Sequence, residues 1–524
     1  MKKQSLIKGT IILGLAGVIA KFLGLFFRWP LIMLIGDEGV GYYQMSYPLY
    51  MFFVAAASGI PVAVSKMVSE RNALGDKSGA VSVLRKAVLL MIIIGGGFSV
   101  VLLTFAHQLI SFFKWDAKSY YALMGIAIAP IFISIMSAFR GFFQGLQNMT
   151  PTAISQIIEQ FGRVLVGVGL AYILLPRGIQ FSAGGAAFGA AAGGIFGGIY
   201  IIVMYFKVKR GYVLGVNHKG NGKSSLLKDI VGNSEVMGRL LTMAIPISLG
   251  ATVGTVMSLI DSLVVPQKLL QAGYSYKEAA ILYGQLTGKA FVLINVPLTI
   301  SAALCASLVP IIAESYILRQ RKEVVSRVEI SMRLSFMIAL PCCLGLFFMA
   351  QPVLSLIFPG HAEGYTILKY LSISIPFIIL AQTSTAILQG IGRYIMPVVN
   401  LAIGCLVKII LTFILVSMPN INIYGAVIAS ITGYVFSAIL NIRLLKRTLN
   451  IAINYYQVII KPAFASVIMI ISVVFIYMYV YNNTMSNAIS ALLSIGIGAV
   501  IYGLLIIAFG VLSYDYLKGK ILKR

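Results

Sequence analysis

Negative charge is what this sequence has least of. Its 524 residues include 15 Asp and Glu against 41 Lys and Arg, and charged residues of either sign make up only 11%. Soluble domains carry about 25% charged residues, so the composition excludes an ordinary soluble globule and a disordered chain alike. Cysteine is also scarce. Cys305, Cys342, Cys343 and Cys405 all fall in apolar stretches, and no Cys/His spacing suits a metal, so neither a disulfide framework nor a metal site is expected. The three histidines, His107, His218 and His361, lie in loops or at the edges of apolar runs, which excludes a histidine relay in the interior. No Ser-His-Asp or paired-carboxylate arrangement presents itself, so an enzyme is not expected, nor is any cofactor.

What the chain has is hydrophobicity: 59% of residues are hydrophobic and the mean hydropathy is +0.95. This predicts an all-α polytopic membrane protein. Fourteen apolar spans are expected, at roughly 9–35, 42–65, 87–106, 119–139, 152–176, 181–206, 240–263, 279–309, 334–357, 365–388, 396–418, 423–442, 458–481 and 486–512. The connections alternate in charge. One side collects 30 of the 41 basic residues and the other six: Lys114, Lys118, Arg177, Lys268, Lys277 and Lys369. The positive-inside rule then places both termini in the cytoplasm with an even number of spans. The net charge of +26 is thereby accounted for by topology, and nucleic acid is not an expected partner. Met-Lys-Lys before an apolar run resembles a signal peptide, but the run continues past Lys21 without a convincing cleavage site, so an uncleaved first span is expected.

The other five basic residues lie within spans: Lys21 and Arg28 in the first, Arg163 in the fifth, Lys289 in the eighth and Lys408 in the eleventh. Lys21 and Arg28 are seven residues apart, nearly two helical turns, so they share one face about 10 Å apart along the axis. Against these five stands one deep acid, Glu159, one turn before Arg163 and on its face; Asp261 and Glu314 lie nearer span ends. A cation at a helix centre facing lipid costs roughly 2.5–3.5 kcal/mol. Most of the five must therefore face a water-filled cavity or a counter-ion. Lys21 and Arg28 are candidate binders of an anionic group, and Glu159, Arg163 and Lys408 candidate cavity or gate residues. Pairing of the cations with acids elsewhere in the bundle is the plainer alternative.

An internal repeat is visible. Pro130 and Pro151 bracket a stretch containing Gln144-Gly145, and Pro376 and Pro397 bracket one containing Gln389-Gly390; Arg163 follows the first and Lys408 the second. Pro61 to Ser65 has a counterpart in Pro310 to Glu314. This fits two parallel six-helix lobes, 1–206 and 240–442, joined by a basic linker at 207–239 and followed by two further helices and a basic tail at 443–524. Gly185, Gly189, Gly193 and Gly197 form a small-residue stripe suited to close helix packing. Pro48, Pro61, Pro246, Pro297 and Pro376 interrupt spans and could mark bends. Asn217 to Ser224 ends like a phosphate loop but lacks its first glycine and a preceding strand, so it reads as a polar loop. Tyr42, Tyr43, Tyr47 and Tyr50 read as interface belt and packing.

Leu6 to Leu13, Ala20 to Phe26, Gly59 to Glu70 and above all RGFFQGLQNMTPTAISQIIEQFGR (Arg140 to Arg163) resemble the stage V sporulation protein B branch of bacterial polysaccharide flippases. That branch is related to the MurJ-type lipid II flippases of the multidrug/oligosaccharidyl-lipid/polysaccharide (MOP) exporter superfamily. The resemblance spans essentially the whole chain. It implies a MATE/MurJ-like transporter in the bacterial cytoplasmic membrane, moving an undecaprenyl-pyrophosphate-linked cell-wall precursor outward by alternating access. Lys21, Arg28 and Lys289 match the family's cavity cations, whereas Pro48 to Phe53 offers no counterpart to the second-span arginine of MurJ-type proteins. The implied partners are a lipid-linked oligosaccharide and membrane lipids, with cell-wall synthesis enzymes a further set and a monomer the expected state. Two alternatives stand beside this reading: a cation-coupled small-molecule exporter of MATE type, and a non-transporting scaffold for cell-wall synthesis.

Overall fold

A computed structural model describes residues 6–214, 233–451 and 454–511, and these are helices joined by short loops, with no strand among the described residues. Most of the expected basic linker, the loop Asn217 to Ser224, Lys2, Lys3 and the basic tail lie outside the described residues. Each of the fourteen expected spans coincides with helix, in several cases broken by one or two residues.

The first two spans share one helical run, Leu6–Ala57, interrupted at Gly36 (φ 58°, ψ −169°), where only glycine is unstrained. The chain folds back there. Phe27 and Tyr43 would be about 24 Å apart on a straight helix, yet their rings lie 6.0 Å apart. Among the described residues, eleven stretches are long and apolar enough to cross a membrane. Two bent pairs, Val236–Leu249 with Gly254–Gln271 and Tyr365–Leu371 with Ser374–Gly390, raise this to thirteen. The first stretch, Ile12–Ala73, would be roughly 90 Å long if straight, three times the hydrocarbon thickness. It holds two of the expected spans, and the count is thus consistent with fourteen. The chain is a multi-pass, all-α membrane protein.

The helices form two compact units. One comprises the chain to Gln267 together with Ser275–Gly284; the other comprises Lys268–Tyr274 and the chain from Gln285 onward. In the first, glycines bring backbones together. A Cβ on Gly141 would sit 2.5 Å from the Pro61 carbonyl oxygen, and one on Gly125 2.3 Å from that of Gly184. The short helix Tyr276–Gly284 is seated on the Asp37–Gly41 turn in the same way. A Cβ on Gly41 would meet the Ala280 carbonyl oxygen at 2.0 Å, and one on Gly284 that of Asp37 at 2.2 Å. Trp115 Nε1 donates to the Ser262 carbonyl (2.9 Å), and Ser262 Oγ donates to that of Met45 (2.9 Å).

In the second unit, Ile312, Val328, Met332, Ile387, Leu388 and Leu445 anchor an apolar core shared by Phe291–Ile317, Arg321–Phe348, Ser374–Gly390 and Ile423–Leu449. Its last two helices, Lys461–Thr484 and Asn487–Ala508, are tied by Tyr477 Oη donating to Asn487 Oδ1 at 2.9 Å.

The repeat is present in the helices themselves. Ala129–Gly145 and Ser374–Gly390 are both 17 residues long. The helices that follow begin at Thr150 and Ile395, and Arg163 and Lys408 each lie 13 residues beyond those starts.

Candidate functional site

Among the described residues, the embedded cations of the first unit and the acid that pairs with two of them, Glu159, are carried by three helices. The fold-back at Gly36 lays the second half of Leu6–Ala57 alongside the first, so Arg28 meets Tyr47, its Cζ 5.8 Å from the ring centroid. Tyr43, Tyr47 and Tyr50 recur at four- and three-residue spacing and so occupy one helix face. Tyr43 and Tyr47 stack at 5.2 Å, and Tyr47 and Tyr50 lie 5.8 Å apart. At the far end of this ladder Arg163 Nη2 donates to Tyr50 Oη at 3.1 Å.

Arg163 and Glu159 are both buried on Thr150–Leu174. The spacing expected to put them on one face does so: Arg163 Nη2 lies 3.5 Å from Glu159 Oε1. A second cation completes the group. Arg140, counted above among the connections, stands inside the helix Ala129–Gly145, with Nη2 3.0 Å from Glu159 Oε2 and Nε donating to Ser155 Oγ at 2.7 Å. By hydropathy the apolar run ends at residue 139, whereas the helix continues for another turn and a half. Glu159 is therefore held between two guanidiniums, in a group of net charge +1.

The glycine stripe positions this triad. On the helix Ile179–Leu214, a Cβ at Gly193 would sit 2.5 Å from the Glu159 carbonyl oxygen, and one at Gly189 2.8 Å from that of Arg163. Only bare backbone lets the two helices approach so closely.

Lys21 and Arg28 differ from the triad. Among the described residues Lys21 is exposed and no ion pair reaches it, and Arg28 is half-buried with Nη1 sequestered and making no hydrogen bond. An apolar helix thus presents two cations for which the described residues show no ion pair, in a form suited to an incoming anion. A guanidinium can grip phosphate oxygens with two parallel N–H donors, and an ammonium adds a point charge.

Lys289 and Lys408 belong to the second unit. Lys289 lies in the π-helical turn Gln285–Ala290, with its side chain 1% exposed. Its Nζ donates to the carbonyls of His361 (2.7 Å) and Glu363 (3.2 Å), and the Glu363 carboxylate stands 3.6 Å away. Here it clamps a loop. Lys408 is buried on Ile395–Leu415. Asp261, expected near a span end, is buried as deeply, at 1% exposure within Asn233–Gln271. The tyrosine ladder and Arg140 are the site residues that sequence reasoning passed over. The 43/47/50 spacing was the available signal for the first, and the second had none in the hydropathy pattern.

A helical bundle in two units, crossing the membrane many times and carrying cations on an apolar helix that make no ion pair among the described residues, has the architecture of a membrane transporter. The chain belongs to the polysaccharide biosynthesis protein family, whose model matches residues 6–316, and a MatE model matches residues 287–414. The chain is 30% identical to stage V sporulation protein B of Bacillus subtilis (strain 168), over 99% of this chain and 98% of that protein. It is 26% identical to the lipid II flippase MurJ of the same organism, over 87% and 85% of the two chains. Among solved structures, lipid II flippase MurJ in an inward closed conformation shares the fold at TM-score 0.69 and 15% identity, covering 98% of this chain and all of the other. These homologues are transporters rather than catalysts.

Proposed function

We propose that this protein moves an undecaprenyl-pyrophosphate-linked cell-wall precursor, lipid II or a close analogue, from the inner to the outer leaflet by alternating access of its two halves. The observation that carries the reading is the buried guanidinium nitrogen of Arg28, with no hydrogen bond among the described residues and Lys21 two turns away on the same helix. A lipid-linked pyrophosphate has at least two negative charges and a sugar to bring across hydrocarbon, while its prenyl tail can remain in lipid. A cationic, wetted helix face open to the side lowers that barrier. Arg28 and Lys21 hold the pyrophosphate. Lys289 is the third proposed head-group binder. The named function of the MurJ relative supports this cargo class. The cation-coupled alternative requires a membrane carboxylate able to exchange a cation; Glu159 has two arginines on it, and Asp261 is the other buried acid among the described residues.

The test is equilibrium binding of lipid II to the purified full chain and to a Lys21→Gln/Arg28→Gln variant that melts normally. Charge-assisted hydrogen bonds are worth about 1.5–3 kcal/mol each, so losing even one weakens binding about tenfold. Equal affinity in both proteins would remove span one from head-group binding. Binding by neither would overturn the cargo.

A further inference from the structure

The second unit has a cleft that the transport reading does not use. It opens where Phe291–Ile317 ends, Arg321–Phe348 begins and Ile423–Leu449 ends, and it encloses about 610 Å³. We infer that this cleft binds the head group of an anionic phospholipid, gripping its phosphate with Arg319 and Arg321.

Three observations support the assignment. The first is charge: Arg319 and Arg321 line the cleft, no acid lines it among the described residues, and neither arginine has an ion pair among them. The nearest acid in sequence, Glu323, is turned away onto Arg327, which also donates to the Ile311 carbonyl at 2.6 Å. Arg321 reaches across the opening to the Asn450 carbonyl at 3.4 Å, so the cleft is bridged by a donor with spare N–H groups. The second is the wall chemistry. Tyr316 and Ile317 are 44% and 77% exposed beside those arginines, and Val324, Val325 and Leu449 continue the apolar lining. Guanidinium over an apolar wall suits a phosphate still attached to acyl chains better than a free anion. The third is place. The same end of these helices carries Lys322, Lys446 and Arg447, the basic side that the positive-inside rule assigns to the anionic cytoplasmic leaflet. A volume of this size accommodates a phosphoglycerol unit. The backbone is also specialised here, with left-handed conformations at Arg319 (φ 56°) and Asn450 (φ 48°) on either side of the opening.

The inference stands apart from the cargo reading, since it concerns a lipid that stays bound. The test is native mass spectrometry of the full chain in detergent, titrated with phosphatidylglycerol and with phosphatidylcholine of the same acyl chains. The wild type is expected to retain one phosphatidylglycerol in preference to phosphatidylcholine. That retention should fall roughly tenfold or more in Arg319→Gln/Arg321→Gln. Val325→Trp, which keeps both arginines and fills the cleft, should lose it too, while Lys114→Gln/Arg177→Gln should keep it. Equal retention in the wild type and both cleft variants, or an equal fall in the Lys114/Arg177 control, would overturn the site. Displacement of the lipid by millimolar inorganic phosphate would overturn the lipid assignment in favour of a free phosphate.

Discussion

Glu159 neutralises only one of the two guanidiniums it touches, so the group formed by Arg140, Glu159 and Arg163 stays positive. Arg163 also has Tyr50, and Arg140 has Ser155, so each cation is held by a neutral group as well as by the carboxylate. Removing the carboxylate leaves two cations in contact within a buried site. Loss of one partner from such a group costs about 3–5 kcal/mol. Glu159→Gln is therefore expected to lower the melting temperature of the purified protein in detergent. Adding Arg140→Gln to it should recover part of the loss, because one buried charge then disappears with its partner. A melting temperature unchanged by Glu159→Gln would mean that water, rather than Glu159, solvates the arginines. Half of this group was legible in the sequence, since the 159/163 spacing is a local helical signal. Arg140 was not, because its pairing depends on two helices meeting and no periodicity records that. The Lys289 clamp was hidden for the same reason: its acceptors are carbonyls more than 70 residues away, in a loop.

At the scale of elements, the sequence marks where helices touch more clearly than where they end. The four-residue glycine spacing on Ile179–Leu214 indicated close packing, and the structure shows its partner, the helix carrying Glu159 and Arg163. Boundaries were less legible: a hydropathy window stops at Arg140, yet a helix can carry a buried arginine when a carboxylate waits for it. The fold-back at Gly36 was likewise visible only as a gap between two apolar runs. Neighbouring glycines provide a controlled comparison. A Cβ at Gly193 would strike the Glu159 carbonyl oxygen at 2.5 Å, whereas one at Gly198 meets nothing nearer than the Met136 Cβ at 3.9 Å. Gly193→Ala is expected to destabilise by about 1–3 kcal/mol through overpacking. Gly198→Ala should be neutral or stabilising by up to about 1 kcal/mol, because alanine is the better helix former. Denaturation of the two variants side by side checks this, and equal stability would mean that the helix pair yields freely.

At the scale of the whole molecule, the repeat and the charge asymmetry make separate statements. Two units that each contain a 17-residue helix followed by a cation-bearing helix in the same register fit a parallel duplication, which requires an even number of crossings per half. The asymmetry of basic connections predicts which side faces the cytoplasm, because moving Lys- and Arg-rich connections outward during insertion is disfavoured. Together they predict that the connection bearing Lys114 and the one bearing Lys277 lie outside, although 163 residues separate them, and that Lys322 and Arg443 lie inside. The four native cysteines are half-buried or buried, and replacing them with serine gives a background for single-cysteine variants. On intact cells a membrane-impermeant maleimide is expected to label Lys114→Cys and Lys277→Cys. It should reach Lys322→Cys and Arg443→Cys only after permeabilisation. A complete reversal of the pattern would invert the protein and make the direction of transport inward. Labelling of Lys114→Cys but not Lys277→Cys would mean an odd number of crossings between them, which a parallel duplication cannot accommodate.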